Sequence, residues 1–161
     1  MRVHVGGDHA AFELQQALVS WLTEHGHEVT DHGPREYAEL DDYPVYVLRA
    51  AEAVAADEGS LGIVLGGSGN GEAMAANKVR GIRAALCYDT QLARLAREHN
   101  DATVVSVGGR MHPLQDTVRF VEVFLAEPFS RDERHVRRIG QLTGYEDDGV
   151  LPPLPDSARP G

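Results

Sequence analysis

The stretch LGIVLGGSGNGE, Leu61–Glu72, decides the fold. Leu61–Leu65 is a short apolar run that reads as a strand buried on both faces, the kind found in parallel sheets. Gly66–Gly71 then puts four glycines in six residues, and Glu72–Asn77 opens a helix. Strand, glycine turn and helix in that order form one half of a βαβ unit.

Outward from this stretch the same alternation recurs. Toward the N-terminus, Arg2–Gly6 reads as the first strand, followed by a helix striped by Leu14, Ala17, Leu18, Trp21 and Leu22. Gly26 ends that helix, and Glu28–Asp31 is a short second strand. Asp31–Pro44 is polar loop, and Val45, Leu48, Ala51, Val54 and Ala55 mark the second helix. Toward the C-terminus come a strand over Ala84–Tyr88, a helix over Thr90–Glu98 with Leu92, Leu95 and Ala96 inward, and a strand over Val104–Val107. Leu114, Val118, Val121, Phe124 and Leu125 stripe a fifth helix, and Arg131–Gln141 forms a charged terminal helix. The pattern predicts an α/β fold: a three-layer α/β/α, Rossmann-like domain whose ligands lie at the carboxyl ends of the strands. From Tyr145 the chain is rich in Pro and acid without period, so residues 146–161 are expected to be a disordered tail and residues 1–145 a single domain.

Bulk composition narrows the function. A chain of 161 residues suits one core, and its formal charge of -10 repels nucleic acid and anionic membrane. The N-terminal MRVHVGGDHA lacks a signal-peptide core, and no run approaches a membrane span. The single cysteine, Cys87, excludes an internal disulfide, reads as a small buried hydrophobe, and makes the cytoplasm the simplest location. Eight histidines show no metal-ligand spacing, so no metal is expected.

Three strand ends carry conspicuous sequences that the architecture gathers on one edge: Gly6-Gly7-Asp8-His9, Gly66–Glu72 and Gly108-Gly109-Arg110. Turn geometry accounts for one or two glycines. Four in six suggest instead a cradle of backbone N–H groups for an anion. The P-loop is excluded because Glu-Ala-Met follows where Gly-Lys-Ser/Thr is needed, and the nucleophile elbow fails at Asn70. The dinucleotide fingerprint comes closer, with Gly67 and Gly69 in place but Glu72 for its third glycine, and Asp89 near its ribose-binding acid. A nucleotide-binding module without catalysis is therefore a rival. Glu72 itself has two readings. An acid in a first helical turn matches the helix dipole, whereas beside an N–H-lined loop it can take a carbon-bound proton while the loop stabilises the oxyanion. His99-Asn100 reads either as a helix C-cap or as functional, and Arg134 and Arg138, four apart, as a solvated face or a phosphate clamp.

Together these segments resemble the type B ribose-5-phosphate isomerases, within the sugar-phosphate isomerase family that also holds galactose-6-phosphate isomerase subunits. The anchors are GGDHA at Gly6–Ala10, DYP at Asp42–Pro44, GGSGNGEAMAANK at Gly66–Lys78, RAALCYD at Arg83–Asp89, EHND at Glu98–Asp101 and GGR at Gly108–Arg110. The resemblance implies a five-stranded parallel sheet, no cofactor or metal, and a homodimer with active sites built from both subunits. It implies Glu72 as the base between carbons 1 and 2 and His99 as the acid that opens the ring. Asp8, His9, Gly67, Ser68, Gly69, Asn70, Gly71 and Asn100 would hold the sugar, with Tyr43 against it, and Arg110, Arg134 and Arg138 the phosphate, together with His9. A large branch of the family carries a cysteine base where this chain has Gly66, so here the role would fall to Glu72. The implied reaction interconverts D-ribose 5-phosphate and D-ribulose 5-phosphate through a cis-enediolate; a four- or six-carbon sugar phosphate is the alternative substrate.

Overall fold

Residues 1–155 and 157 are described by the structure, a computed structural model. Five strands form one parallel sheet: β1 (Arg2–Gly7), β2 (Glu28–Asp31), β3 (Leu61–Gly66), β4 (Ala84–Leu86) and β5 (Val104–Gly108), in the order β2-β1-β3-β5-β4. Side-chain alternation along the strands separates two cores. Val3, Val5, Ile63, Leu65, Val105 and Val107 face the helices α1 (Phe12–Glu24), α4 (Thr90–Asn100) and α5 (Leu114–Ala126). Val64 and Val104 face α2 (Tyr43–Ala56) and α3 (Asn70–Ala76) on the other side. The expected three-layer α/β/α arrangement is thus what the chain adopts. No helix among the described residues is long and apolar enough to cross a membrane.

Two helices bury a different stripe from the expected one. In α2 the inward residues are Val47, Ala50, Ala51 and Val54, whereas Val45 and Leu48 are 46% and 37% exposed. The cause is the closeness of helix and sheet. A Cβ on Gly6 would lie 2.8 Å from the Tyr46 carbonyl oxygen and 3.1 Å from Ala50 Cβ, and one on Gly62 would lie 2.9 Å from Val54 Cγ2. Such an approach admits small side chains and turns the larger ones outward. In α4, likewise, Ala93 and Ala96 are buried while Leu92 and Leu95 are only partly so.

The terminal helix, α6, spans Glu133–Asp148 rather than 131–141. Its last turn is tied to the α3–β4 connection, where Glu146 accepts from the Gly81 N–H (3.0 Å) and Asp147 pairs with Arg80. Gly149, at φ 72°, ends it with its N–H bonded to the Tyr145 carbonyl (2.8 Å). Partners distant in the chain hold in helix an acidic segment that lacks an apolar stripe. The expected disorder of 146–161 is therefore corrected for residues 146–148, and part of that tail lies outside the described residues.

Candidate active site

The strand order reverses between β1 and β3: the chain runs from β1 outward to β2 on one side, and from β3 toward β5 and β4 on the other. Ligands of open α/β sheets bind beyond the carboxyl ends of the strands at such a switch point. A hollow of about 480 Å³ lies there, lined by Asp8, His9, Ala10, Tyr43, Gly67, Ser68, Gly71, Glu72, Arg110 and Met111. The strand ends that carry the polar motifs thus converge on one pocket.

Backbone bonds stitch its floor together. Gly109 and Arg110 N–H groups donate to the carbonyls of Gly66 (2.6 Å) and Gly67 (3.1 Å), and the Ser106 hydroxyl donates to the Gly69 carbonyl (2.7 Å). Asn70 donates from its backbone (3.3 Å) and its side chain (3.2 Å) to the Ser68 hydroxyl, keeping both within the loop. Gly69 needs its φ of 82°, and the Tyr43 ring packs against Gly71, where a Cβ would meet Cζ at 2.8 Å. Gly67 is different: a Cβ there meets nothing closer than 3.6 Å. Neither turn geometry nor packing requires that glycine; its lack of a side chain leaves the backbone open to the pocket.

Glu72 is 4% exposed, and its carboxyl fills the space a side chain at residue 66 would need. A Cβ on Gly66 would lie 1.8 Å from Glu72 Oε1. A cysteine at position 66 and this placement of Glu72 therefore exclude one another. Burial raises the Glu72 carboxyl above its ordinary value, and the charge of Asp8 adds to that; its own N–H and that of Gly69 pull the other way. Asp8, 7% exposed, is also raised by burial, against the bond from the Ala10 N–H (3.0 Å) and the charges of His9 and Arg110.

One residue that the sequence did not single out touches the pocket's polar wall. Asp41 Oδ1 accepts the His9 backbone N–H (3.0 Å) and lies 2.7 Å from His9 Nδ1. An acid in a polar loop looks like any solvated loop charge, and only the adjacent DYP motif marks the segment. Asp8, His9 and Asp41 offer ligand atoms within 4.8 Å of one another, the one such group of metal-ligating side chains among the described residues. Two of its carboxylate oxygens are already engaged by N–H groups.

Other expected residues lie elsewhere in the chain. His99 and Asn100 end α4 just before β5, at the sheet's opposite edge, where the Asn100 carbonyl accepts from Arg83 Nε (2.8 Å). The length of β5, about 15 Å at ~3.3 Å per residue, separates them from the pocket. The His99 ring packs, tilted by 38° with centroids 4.2 Å apart, against His135 of α6, a second residue not foreseen, which is 4% exposed and lies 2.9 Å from the Ser130 hydroxyl. Arg134 and Arg138 flank His135 and are exposed. Asp89, the ribose-binding acid of the nucleotide reading, instead caps α4: its Oδ1 accepts the Leu92 N–H at 2.7 Å. Cys87 is buried, its thiol pushed up to about 12 by desolvation and then Asp89, which leaves it unreactive.

Residues 3–142 match the profile of the Ribose/Galactose Isomerase family. The chain is 50% identical over 155 residues to ribose-5-phosphate isomerase B of Mycobacterium tuberculosis (strain CDC 1551 / Oshkosh), covering 96% of each chain. Its fold matches that of ribose-5-phosphate isomerase B from Clostridium thermocellum with a TM-score of 0.88 and 38% identity, over 93% of this chain and 100% of the other. The corresponding enzyme of Mycoplasma genitalium, solved with bound ribulose 5-phosphate, matches with a TM-score of 0.87 and 32% identity, over 91% and 97% of the two chains.

Proposed function

The chain belongs to the Ribose/Galactose Isomerase family, and from that premise we propose that it interconverts D-ribose 5-phosphate and D-ribulose 5-phosphate with Glu72 as the base. The observation that carries the base assignment is the Glu72 carboxyl packed against the Gly66 Cα at the floor of the switch-point pocket. Once the ring is open, Glu72 removes the carbon-2 proton. The electron pair moves onto the carbon-1 carbonyl oxygen to give an enediolate, the carbon-2 hydroxyl proton passes to that oxygen, and Glu72 delivers a proton, in part exchanged with solvent, to carbon 1 as the carbon-2 carbonyl forms. Buried and raised, the carboxyl is a stronger base than an exposed one once ionised, which suits proton transfer in both directions. Loop N–H groups around Gly67–Gly71 stabilise the enediolate oxygen, and Asp8, Ser68, Asn70 and Tyr43 orient the sugar.

The ring-opening acid, His99, and Asn100 come from a second copy in this proposal. Their place at the far edge of the sheet supports a homodimer in which each pocket is completed by the partner's α4 and α6. His9 and Arg110 of one chain then hold the phosphate with Arg134 and Arg138 of the other, converting binding energy into orientation. A cytoplasmic location fits the single buried thiol. Glu72→Gln is expected to lose turnover and carbon-2 hydrogen exchange with solvent together. Continued exchange in that variant, followed by NMR in deuterated water, would take the base role away from Glu72.

A further inference from the structure

We propose that Asp41 is a positioning residue: it fixes the tautomer and the aim of His9 so that Nε2 is the ring nitrogen presented to the sugar phosphate. The inference rests on the proposed role of His9 in holding that ligand. One oxygen, Oδ1, receives both the His9 backbone N–H (3.0 Å) and the ring at Nδ1 (2.7 Å). An ionised carboxylate only accepts, so a proton sits on Nδ1; Nε2 is left for the ligand, accepting from a sugar hydroxyl as the neutral ring and donating to the phosphate as the imidazolium. The ring is also walled by Tyr37, edge-on with centroids 6.3 Å apart, which in turn meets Phe12 at 6.1 Å.

Burial argues for function over simple bracing. The Asp41 side chain is 8% exposed, and its second oxygen, Oδ2, is buried with no hydrogen-bond partner among the described residues. Removing a carboxylate from water is costly unless it is paired, and a neutral side chain would brace the backbone N–H at less cost. That charge faces the His9 ring at Nδ1 (2.7 Å) and also the Tyr46 hydroxyl, whose pKa burial and then Asp41 raise. Asp41 is itself carried into place by a pinned loop. Gln15, wholly buried, donates to Asp31 Oδ1 and to the Gly33 carbonyl (2.8 Å each), and the Gly7 N–H, at the end of β1, donates to that same carbonyl (3.2 Å). The loop that delivers Asp41 is thus bolted to the strand that delivers His9.

The test is a double-mutant cycle with ribose 5-phosphate as substrate. Asp41→Ala is expected to lower kcat/KM roughly 10–100-fold, mainly through KM, the range seen when an orienting partner of a ligand histidine is lost. In a His9→Ala background the same change should add almost nothing, because the residue acts through the ring. Asp41→Asn keeps an acceptor oxygen and the side-chain shape, so it should recover part of the loss, and it serves in the cycle should the alanine variant fold poorly. Nitrogen-15 NMR of the His9 ring should report the Nδ1–H tautomer in the parent and a mixture in Asp41→Ala, a change that a purely structural role does not produce. Independent, multiplicative losses in the two variants, or an unaltered tautomer, overturn the proposal. A His9→Ala enzyme with unchanged kcat/KM instead overturns the ligand role of His9, and the proposal with it.

Discussion

Glu72 is held where an ionised carboxyl is least stable, and that cost has a measurable sign. With its pKa raised above the ordinary 4.5, the folded chain binds this proton more tightly than the unfolded one. The stability that this preference contributes is full below the unfolded value and is lost as pH rises through the raised one. Glu72→Gln removes the titration. At about pH 8 the variant is expected to be more stable than the parent while losing about 10²–10⁴ in kcat. Thermal melts across pH should show the gap closing toward acid; a gap that widens there contradicts the burial account. The charge of Asp8 contributes to the shift, so the acid limb of kcat/KM should lie above 4.5 and move down in Asp8→Asn. Gly66 gives a second residue-level test. Restoring ordinary contact from 1.8 Å means moving the carboxyl by more than an ångström. Gly66→Ala should therefore stay folded at a cost of about 1–3 kcal/mol and lose ~10²-fold in kcat.

At the scale of elements, α4 and β4 depend on single polar side chains. Asp89 caps α4, and Asn77 does for β4 what a sixth strand would: its side chain accepts the Ala84 N–H and donates to the Ala84 carbonyl, 2.8 and 2.9 Å away. Asp89→Ala is expected to cost about 0.5–2 kcal/mol in urea unfolding, with Asp89→Ser recovering most of it and kcat/KM unchanged in both. A loss of activity at full stability would reopen the ligand role for Asp89. This residue also marks how far the sequence carries. The strands were legible because Leu61–Leu65 and Val104–Val107 are uniformly apolar, and α1 and α5 because their large residues form one stripe. The inner face of α2 was not, because it is set by glycines on the neighbouring strands, Gly6 and Gly62, at a distance that no local period encodes. The end of α6 was missed because its partners, Arg80 and Gly81, lie far away in the chain. In the pocket the same division holds. Glycine loops and strand-end acids announce themselves, whereas Asp41 matters through its two bonds to His9 and, outside the pocket, His135 through His99 and Ser130.

On the scale of the whole molecule, the residues expected to act together sit at opposite edges of one sheet, and no motion of a single chain that keeps the sheet intact brings Glu72 to His99. Large apolar side chains stand exposed beside the carboxyl edge, Met74 (67%), Tyr88 (57%) and Met111 (63%), as they would at a surface awaiting a second copy. A two-fold dimer predicts complementation between two dead chains. Take Glu72→Gln and His99→Asn, each expected to be inactive as a homodimer, and reassort them after mild dissociation. In a mixed dimer one pocket combines both lesions, while the other combines an intact Glu72 with an intact His99. Random pairing makes half the dimers mixed with one good pocket of two, so activity should recover to about a quarter of the parent level. Were both residues to act within one chain, every pocket in the mixture would carry one lesion and no activity would return, which makes the recovered rate a direct measure of which chain supplies His99.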